Sequence, residues 1–135
     1  MSKKQPFGSL LIIDADKCEG NLIDKEHIQT FINTLVNDLG MKKKGDTIFE
    51  YFENNEYNRE RDIVGWSVVQ IISLSSITLH INEISKTVYL DLFSCSSIDE
   101  LKVFMLFNDF FEPTMYKKQL LTRDAKIKNF FVYLC

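Results

Sequence analysis

Three β-patterned runs lie between Val64 and Phe93, and the links joining them are too short to hold a helix. They are Val64 to Ser73, Ser76 to Ile81 and Thr87 to Phe93, with Leu74 and Ser75 near the first junction. Strands joined this closely pair antiparallel, because a parallel pair needs a crossover of about a dozen residues. Further strands are predicted at Ser9 to Asp14, Thr47 to Phe52 and Met115 to Leu121. Asp24 is placed to cap a helix running to about Leu39, where Ile28, Phe31, Ile32, Leu35, Val36 and Leu39 form one apolar stripe. Gly40 supplies its stop signal. Ser97 and Glu100 have the spacing of a capping box for a second helix through about Phe111, ended by Pro113. The polar tract Asn54 to Asp62 reads as a surface loop.

The resulting order is β-α-β-β-β-β-α-β. It predicts an α+β two-layer sandwich, an antiparallel sheet with two helices on one face. No helix remains to cover the other face, so a homodimer packed sheet to sheet is expected. The 135 residues, 45% of them hydrophobic, suit a single domain over residues 1–135. The terminal FFVYLC is too apolar for a disordered tail and is expected to pack on the domain or across an interface.

Charge and cysteine content narrow the functional classes. A net charge of −3 and a pI near 5.4 argue against a nucleic-acid binder, which needs a basic surface. Lys42, Lys43 and Lys44 form the one dense basic cluster and read as a solvated loop. Cys18, Cys95 and Cys135 are widely spaced and form no CxxC pair, so neither a metal site nor a disulfide framework is expected. The opening residues carry no signal-peptide pattern, and no apolar run approaches the roughly 20 residues that span a bilayer. A cytoplasmic protein with no membrane partner is the expectation.

The candidate chemistry lies in Ser67, Ser75, His80 and Cys95. Taken singly, each has an ordinary reading. Ser75 is a turn serine, His80 a hydrogen-bonded strand histidine, Cys95 a small buried apolar residue, and Ser67 carries almost no information. In a strand from Ser76 to Ile81, His80 shares a face with Ser76 and Thr78, while Ile77, Leu79 and Ile81 share the other.

Together, the stretch GWSVVQIISLSSITLHINEISKTVYLDLFSC, residues 65–95, resembles the core of the prokaryotic S-adenosylmethionine decarboxylases. That pattern runs GxS, a glutamate-serine-histidine cleavage site, a second histidine, then an aspartate and FTC. Ser67, Ser75, His80 and Cys95 match it without a gap. The flanks extend the resemblance to about residues 7–124, with Gly8, Asp14 and Cys18 in PFGSLLIIDADKC and Arg123 in LLTRD.

The resemblance implies a pyruvoyl cofactor made from Ser75, with no metal and no pyridoxal phosphate. Decarboxylating an amino acid leaves a carbanion beside nitrogen, which needs an electron sink. Ser75 would attack the Leu74 carbonyl, and the chain would part into residues 1–74 and 75–135. His80 would assist loss of the Ser75 α-proton, and Ser67 would support processing and catalysis. The substrate amine would form a Schiff base with the new ketone, and Cys95 would return a proton to the product carbon. The implied activity is decarboxylation of S-adenosylmethionine for spermidine and other polyamine synthesis. Two alternatives stand beside it: a pyruvoyl decarboxylase of another amino acid such as arginine or ornithine, and a non-cleaving homologue with a binding or regulatory role.

Three departures bear on the choice. Leu74 stands where the family has glutamate, Ser76 where it has histidine, and INEI, residues 81–84, where it has TWPE. Trp66 and Glu83 are the candidate substitutes for the missing substrate-binding groups; Trp66 also reads as a core residue.

Overall fold

The structure is a computed structural model that describes residues 6–126. The FFVYLC segment and Cys135 lie outside the described residues. Six strands form one antiparallel sheet: β1 (Gly8–Cys18), β2 (Ile48–Phe52), β3 (Gly65–Ile72), β4 (Ser75–Asn82), β5 (Thr87–Ser94) and β6 (Pro113–Arg123). Their spatial order is β2-β3-β4-β5-β1-β6. Helices α1 (Lys25–Asp38) and α3 (Glu100–Phe111) cover one face, and a single turn of helix, α2 (Glu56–Glu60), lies before β3. The predicted α+β two-layer architecture is therefore the observed one.

Period-two alternation sorts each central strand into two faces. Leu11, Ile13, Val68, Ile77, Leu79, Ile81, Val88, Leu90 and Leu92 are buried beneath the helices. The helices answer with Ile28, Phe31, Ile32 and Leu35 from α1 and Val103, Phe107 and Phe111 from α3. Phe31 sits at the centre, its ring 6.1 Å from Phe107, 5.5 Å from Phe110 and 4.9 Å from Phe111 in edge-on contacts. Asp24 caps α1 as predicted, accepting from the Glu26 N–H at 3.0 Å.

Four elements depart most from the sequence reading. The cap of α3 is Asp99, which accepts from the Lys102 N–H at 3.2 Å, so the helix starts two residues later than a Ser97 cap would give. Ile98 is spent on packing against the core instead of beginning the helix. The tract expected to be loop holds α2, because Asn55 accepts from the Asn58 N–H at 2.8 Å and forms a local cap. β1 extends four residues past Asp14. β6 begins at Pro113 itself, which is tolerated because the first residue of a strand can lack an N–H.

The opposite face of the sheet carries no helix. Its central row reads Glu50, Ser67, His80, Tyr89, Asp14 and Lys117 across β2 to β6 in directly paired positions. Gly65 starts β3 with φ +141, and an added Cβ there would run into the Ile81 carbonyl oxygen. Gly65→Ala is expected to cost about 2 kcal/mol or more in urea unfolding, since both strain and a backbone clash oppose it. A loss below about 0.5 kcal/mol would mean that β3 does not enter the sheet at this angle.

Candidate active site

Ser67 and His80 are register partners on β3 and β4, and both project onto the uncovered face. Ser67 Oγ and His80 Nδ1 are 2.9 Å apart, a hydrogen bond that fixes the imidazole ring. They form part of a cavity of about 330 Å³ whose walls include Phe52, Asp62, Asn82 and Tyr89. The pair therefore offers an oriented imidazole in a partly aromatic cleft.

Ser75 opens β4 at the far end of the same strand. Ser73 and Leu74 alone link β3 to β4, since Ile72 and Ser75 are already paired. A two-residue hairpin demands positive φ within the turn, and Leu74 supplies it at φ +53. A leucine there is strained, by about 1–2 kcal/mol. Leu74 is 72% exposed, whereas Ser75 is only 6% exposed. Ser75 Oγ is buried with no hydrogen-bond partner. Leaving a buried hydroxyl unpaired costs about 1–3 kcal/mol. Two local penalties thus converge on the peptide bond between Leu74 and Ser75.

Cys95 follows directly on β5, whose last residue Ser94 pairs with Ser75. The thiol residue is half-buried and lies level with the Leu74 turn. Gly8 allows this packing: a Cβ at that position would collide with the Ser94 carbonyl oxygen and crowd the Cys95 backbone.

The chain thus joins Ser67 to His80 and sets Cys95 level with the Leu74 turn, but keeps the two ends of β4 apart. Five residues of β-strand separate Ser75 from His80, about 17 Å at about 3.3–3.4 Å per residue. Alternation also directs Ser75 toward the helix-covered face and His80 toward the uncovered one.

Trp66 lies on β3 opposite Tyr51 of β2, and Glu83 directly follows β4 in the turn to β5. The Trp66 indole turns to the helix side, where Nε1–H donates to the Ile23 carbonyl at 2.9 Å and the ring lies 4.8 Å from Tyr51 and 5.6 Å from Phe49. Glu83 accepts from the Tyr51 hydroxyl at 3.0 and 3.1 Å. Burial, then the hydrogen bond to Glu83 and the nearby carboxylates, hold the Tyr51 pKa above its usual value.

A second aromatic cavity, of about 440 Å³, escapes the sequence reading. It is lined by Phe7, Phe93 and Arg123 with the adjoining Asp124 to Lys126. Phe7 stacks on Phe93 at 6.0 Å, and the Arg123 guanidinium lies 5.4 Å from the Phe93 ring. Phe93 pairs with Ser76, which puts this cavity at the Ser75–Cys95 end of the sheet. The usable signal is Phe93 two residues before Cys95 and Phe7 beside Gly8, with Arg123 brought in by the β1–β6 pairing. Among the described residues, no cluster of His, Cys, Asp and Glu has the makings of a metal centre, and no helix is long and apolar enough to cross a membrane.

Comparison with known proteins agrees with this fold. The family model for S-adenosylmethionine decarboxylase matches residues 9–124. The crystal structure of the adenosylmethionine decarboxylase from Aquifex aeolicus VF5 superposes with a TM-score of 0.73 at 15% identity, covering 93% of this chain and 98% of that one. No curated protein sequence gives a significant match. The α+β fold is thus one that a decarboxylase also adopts. The chain belongs to the S-adenosylmethionine decarboxylase family, whose members are in general pyruvoyl-dependent.

The two described cysteines should differ in reactivity. Burial first, then Asp16 and Glu19, push the Cys18 thiol up to about 11. At pH 8 only roughly one Cys18 in a thousand is then thiolate. Iodoacetamide applied to the native protein at pH 8 should label Cys95 well before Cys18, read by peptide mapping. Cys18 labelling should rise only as the pH approaches 11. Equal labelling at pH 8 would mean that β1 does not bury Cys18.

Proposed function

We propose that this chain is a self-processing S-adenosylmethionine decarboxylase whose pyruvoyl group is made from Ser75. The observation that carries the reading is the buried, unpartnered Ser75 Oγ next to the strained Leu74 turn. Attack of Ser75 Oγ on the Leu74 carbonyl carbon forms an ester and breaks the amide bond, and the hydroxyl proton ends on the freed amine. Removal of the Ser75 α-proton expels the Leu74 carboxylate and leaves dehydroalanine. Water then releases ammonia and leaves the pyruvoyl group. Cleavage relieves the Leu74 strain and frees the Ser75 end from the hairpin.

Once formed, that group supplies the electron sink for decarboxylation. The residues around it have separable tasks. Cys95, level with the cleavage point, would return a proton to the product carbon. Phe7 and Phe93 present ring faces for a purine, which favours S-adenosylmethionine over arginine or ornithine.

His80 and Ser67 cannot reach Ser75 of their own chain across about 17 Å of strand. Two copies packed through their uncovered sheet faces would bring the Ser67–His80 pair of one to the open side of the Leu74–Ser75 backbone and Cys95 of the other. A two-fold arrangement makes two such sites at once. The homodimer is therefore part of the proposal, because each site would be incomplete without it.

Intact mass under denaturing conditions tests processing. Two chains, 1–74 and 75–135 with a pyruvoyl end, are expected. Ser75→Ala should remain one chain with its fold intact. A full-length wild-type mass that persists for days would leave a non-cleaving homologue with a binding role. For the processed protein, release of carbon dioxide from S-adenosylmethionine should exceed that from arginine or ornithine; the reverse order would reassign the substrate.

Mixing tests the shared site. His80→Ala and Cys95→Ala chains, each inactive alone, should regain up to about a quarter of wild-type turnover when coexpressed, because half of the random dimers then hold one intact site. No recovery, with mixed dimers present, would place all four residues in one chain's site.

A further inference from the structure

The processing chemistry proposed above leaves the polar residue nearest to Ser75 across the sheet without a task. Ser94 pairs directly with Ser75 on β4, and Ser9 on β1 pairs with Ser94 on its other side. Alternation puts all three hydroxyls on the helix-covered face. Ser94 is fully buried. Its Oγ accepts from the Ser96 N–H at 3.1 Å, which holds the bend that carries Cys95. A serine hydroxyl has a second lone pair and a proton beyond that bond. Directly opposed Cβ atoms lie about 4.5–5.5 Å apart, close enough for two hydroxyl rotors to meet. Ser75 Oγ is the partner still to be satisfied.

We infer that Ser94 is a positioning residue for self-processing. Its second lone pair accepts the Ser75 hydroxyl proton in a hydrogen bond, which turns a lone pair of Ser75 Oγ toward the Leu74 carbonyl carbon. In the attack, the bond from Ser75 Oγ to that carbon forms and the Leu74–Ser75 amide bond breaks. The proton ends on the Ser75 amine, and Ser94 is unchanged. The same hydroxyl holds the Ser96 N–H, so one side chain ties the nucleophile's strand to the turn bearing Cys95. This inference rests on the processing reading and adds to it the group that aims Ser75.

The test follows chain cleavage over time in the purified full chain, with hydroxylamine added in a parallel sample. Hydroxylamine cleaves the ester and leaves a Leu74 hydroxamate, so it reports the first step separately from α-proton removal. Ser94→Ala should slow ester formation about tenfold, the effect of losing one well-made hydrogen bond in the transition state. Ser94→Thr, which keeps the hydroxyl, should restore the rate to within about threefold.

If Ser94 served only the bend at Cys95, Ser94→Ala would process at the wild-type rate and lose turnover alone; that result overturns the inference. Should Ser94→Ala fail to fold, Ser94→Cys retains a weaker partner and should give an intermediate rate, and a wild-type rate in it would be equally damaging. A wild-type chain that never cleaves overturns the processing reading and this inference with it. A wild-type chain that cleaves beside an equally fast Ser94→Ala overturns only this one.

Discussion

The two-residue hairpin between β3 and β4 sets the register at the middle of the sheet. Pairing Ile72 with Ser75 forces Ser67 opposite His80, and it directs Val68 and Leu79 into the same core. A slip of one residue would exchange the two faces of β4, burying His80 and exposing Ile77, Leu79 and Ile81. Those three buried side chains therefore hold the register that makes the Ser67–His80 hydrogen bond possible. The strain at Leu74 is tolerated because this larger apolar set enforces the turn.

A second constraint is the one-sided helix layer. α1 and α3 meet through Phe31, Phe107, Phe110 and Phe111, and together they close the core over the central strands. The uncovered face mixes Leu10, Ile12, Phe93 and Leu121 with Asp14, Asp91, Glu50 and Lys117. Such a surface is wet enough to exist exposed, yet it carries a continuous row of groups able to act on a ligand. The chemistry-bearing residues divide along this boundary, with Ser67 and His80 on the open side and Ser75 buried on the other.

Much of the architecture was legible in the residues because periodicity survives without an alignment. The α1 stripe and the alternation in Ser75–Asn82 and Thr87–Ser94 both carry their burial pattern on their face. Helix starts were less legible. Ser97 and Asp99 both offer a capping oxygen, and only the packing of Ile98 decides between them. The short helix after Asn55 was hidden by its polar composition, since a local Asx cap and not an apolar face nucleates it. For the site, the family resemblance singled out Ser67, Ser75, His80 and Cys95, but linear spacing said nothing of their separation in space. The five-residue interval from Ser75 to His80 looks compact in the chain and becomes most of the length of an extended strand. Phe7 and Arg123 were invisible as a pair because only the β1–β6 pairing unites the two ends of the chain.

The same geometry explains where this chain can depart from its family's motif. Leu74 stands where the resemblance expects a glutamate, but the residue is largely exposed and the proposed attack is on its backbone carbonyl. What matters at position 74 is the left-handed φ, which a leucine adopts at greater cost than glycine or asparagine would. A substitution there changes the strain at the Leu74–Ser75 peptide bond more than the contacts around it. Ser76 replaces a histidine on the uncovered face, paired with Phe93 beside the aromatic cavity. A smaller side chain at that point leaves the Phe93 ring open to Phe7 and Arg123. Both departures therefore fall on exposed or open-face positions, while the buried residues around Ser75, namely Ile72, Ile77 and Ser94, stay within the sheet's packed register.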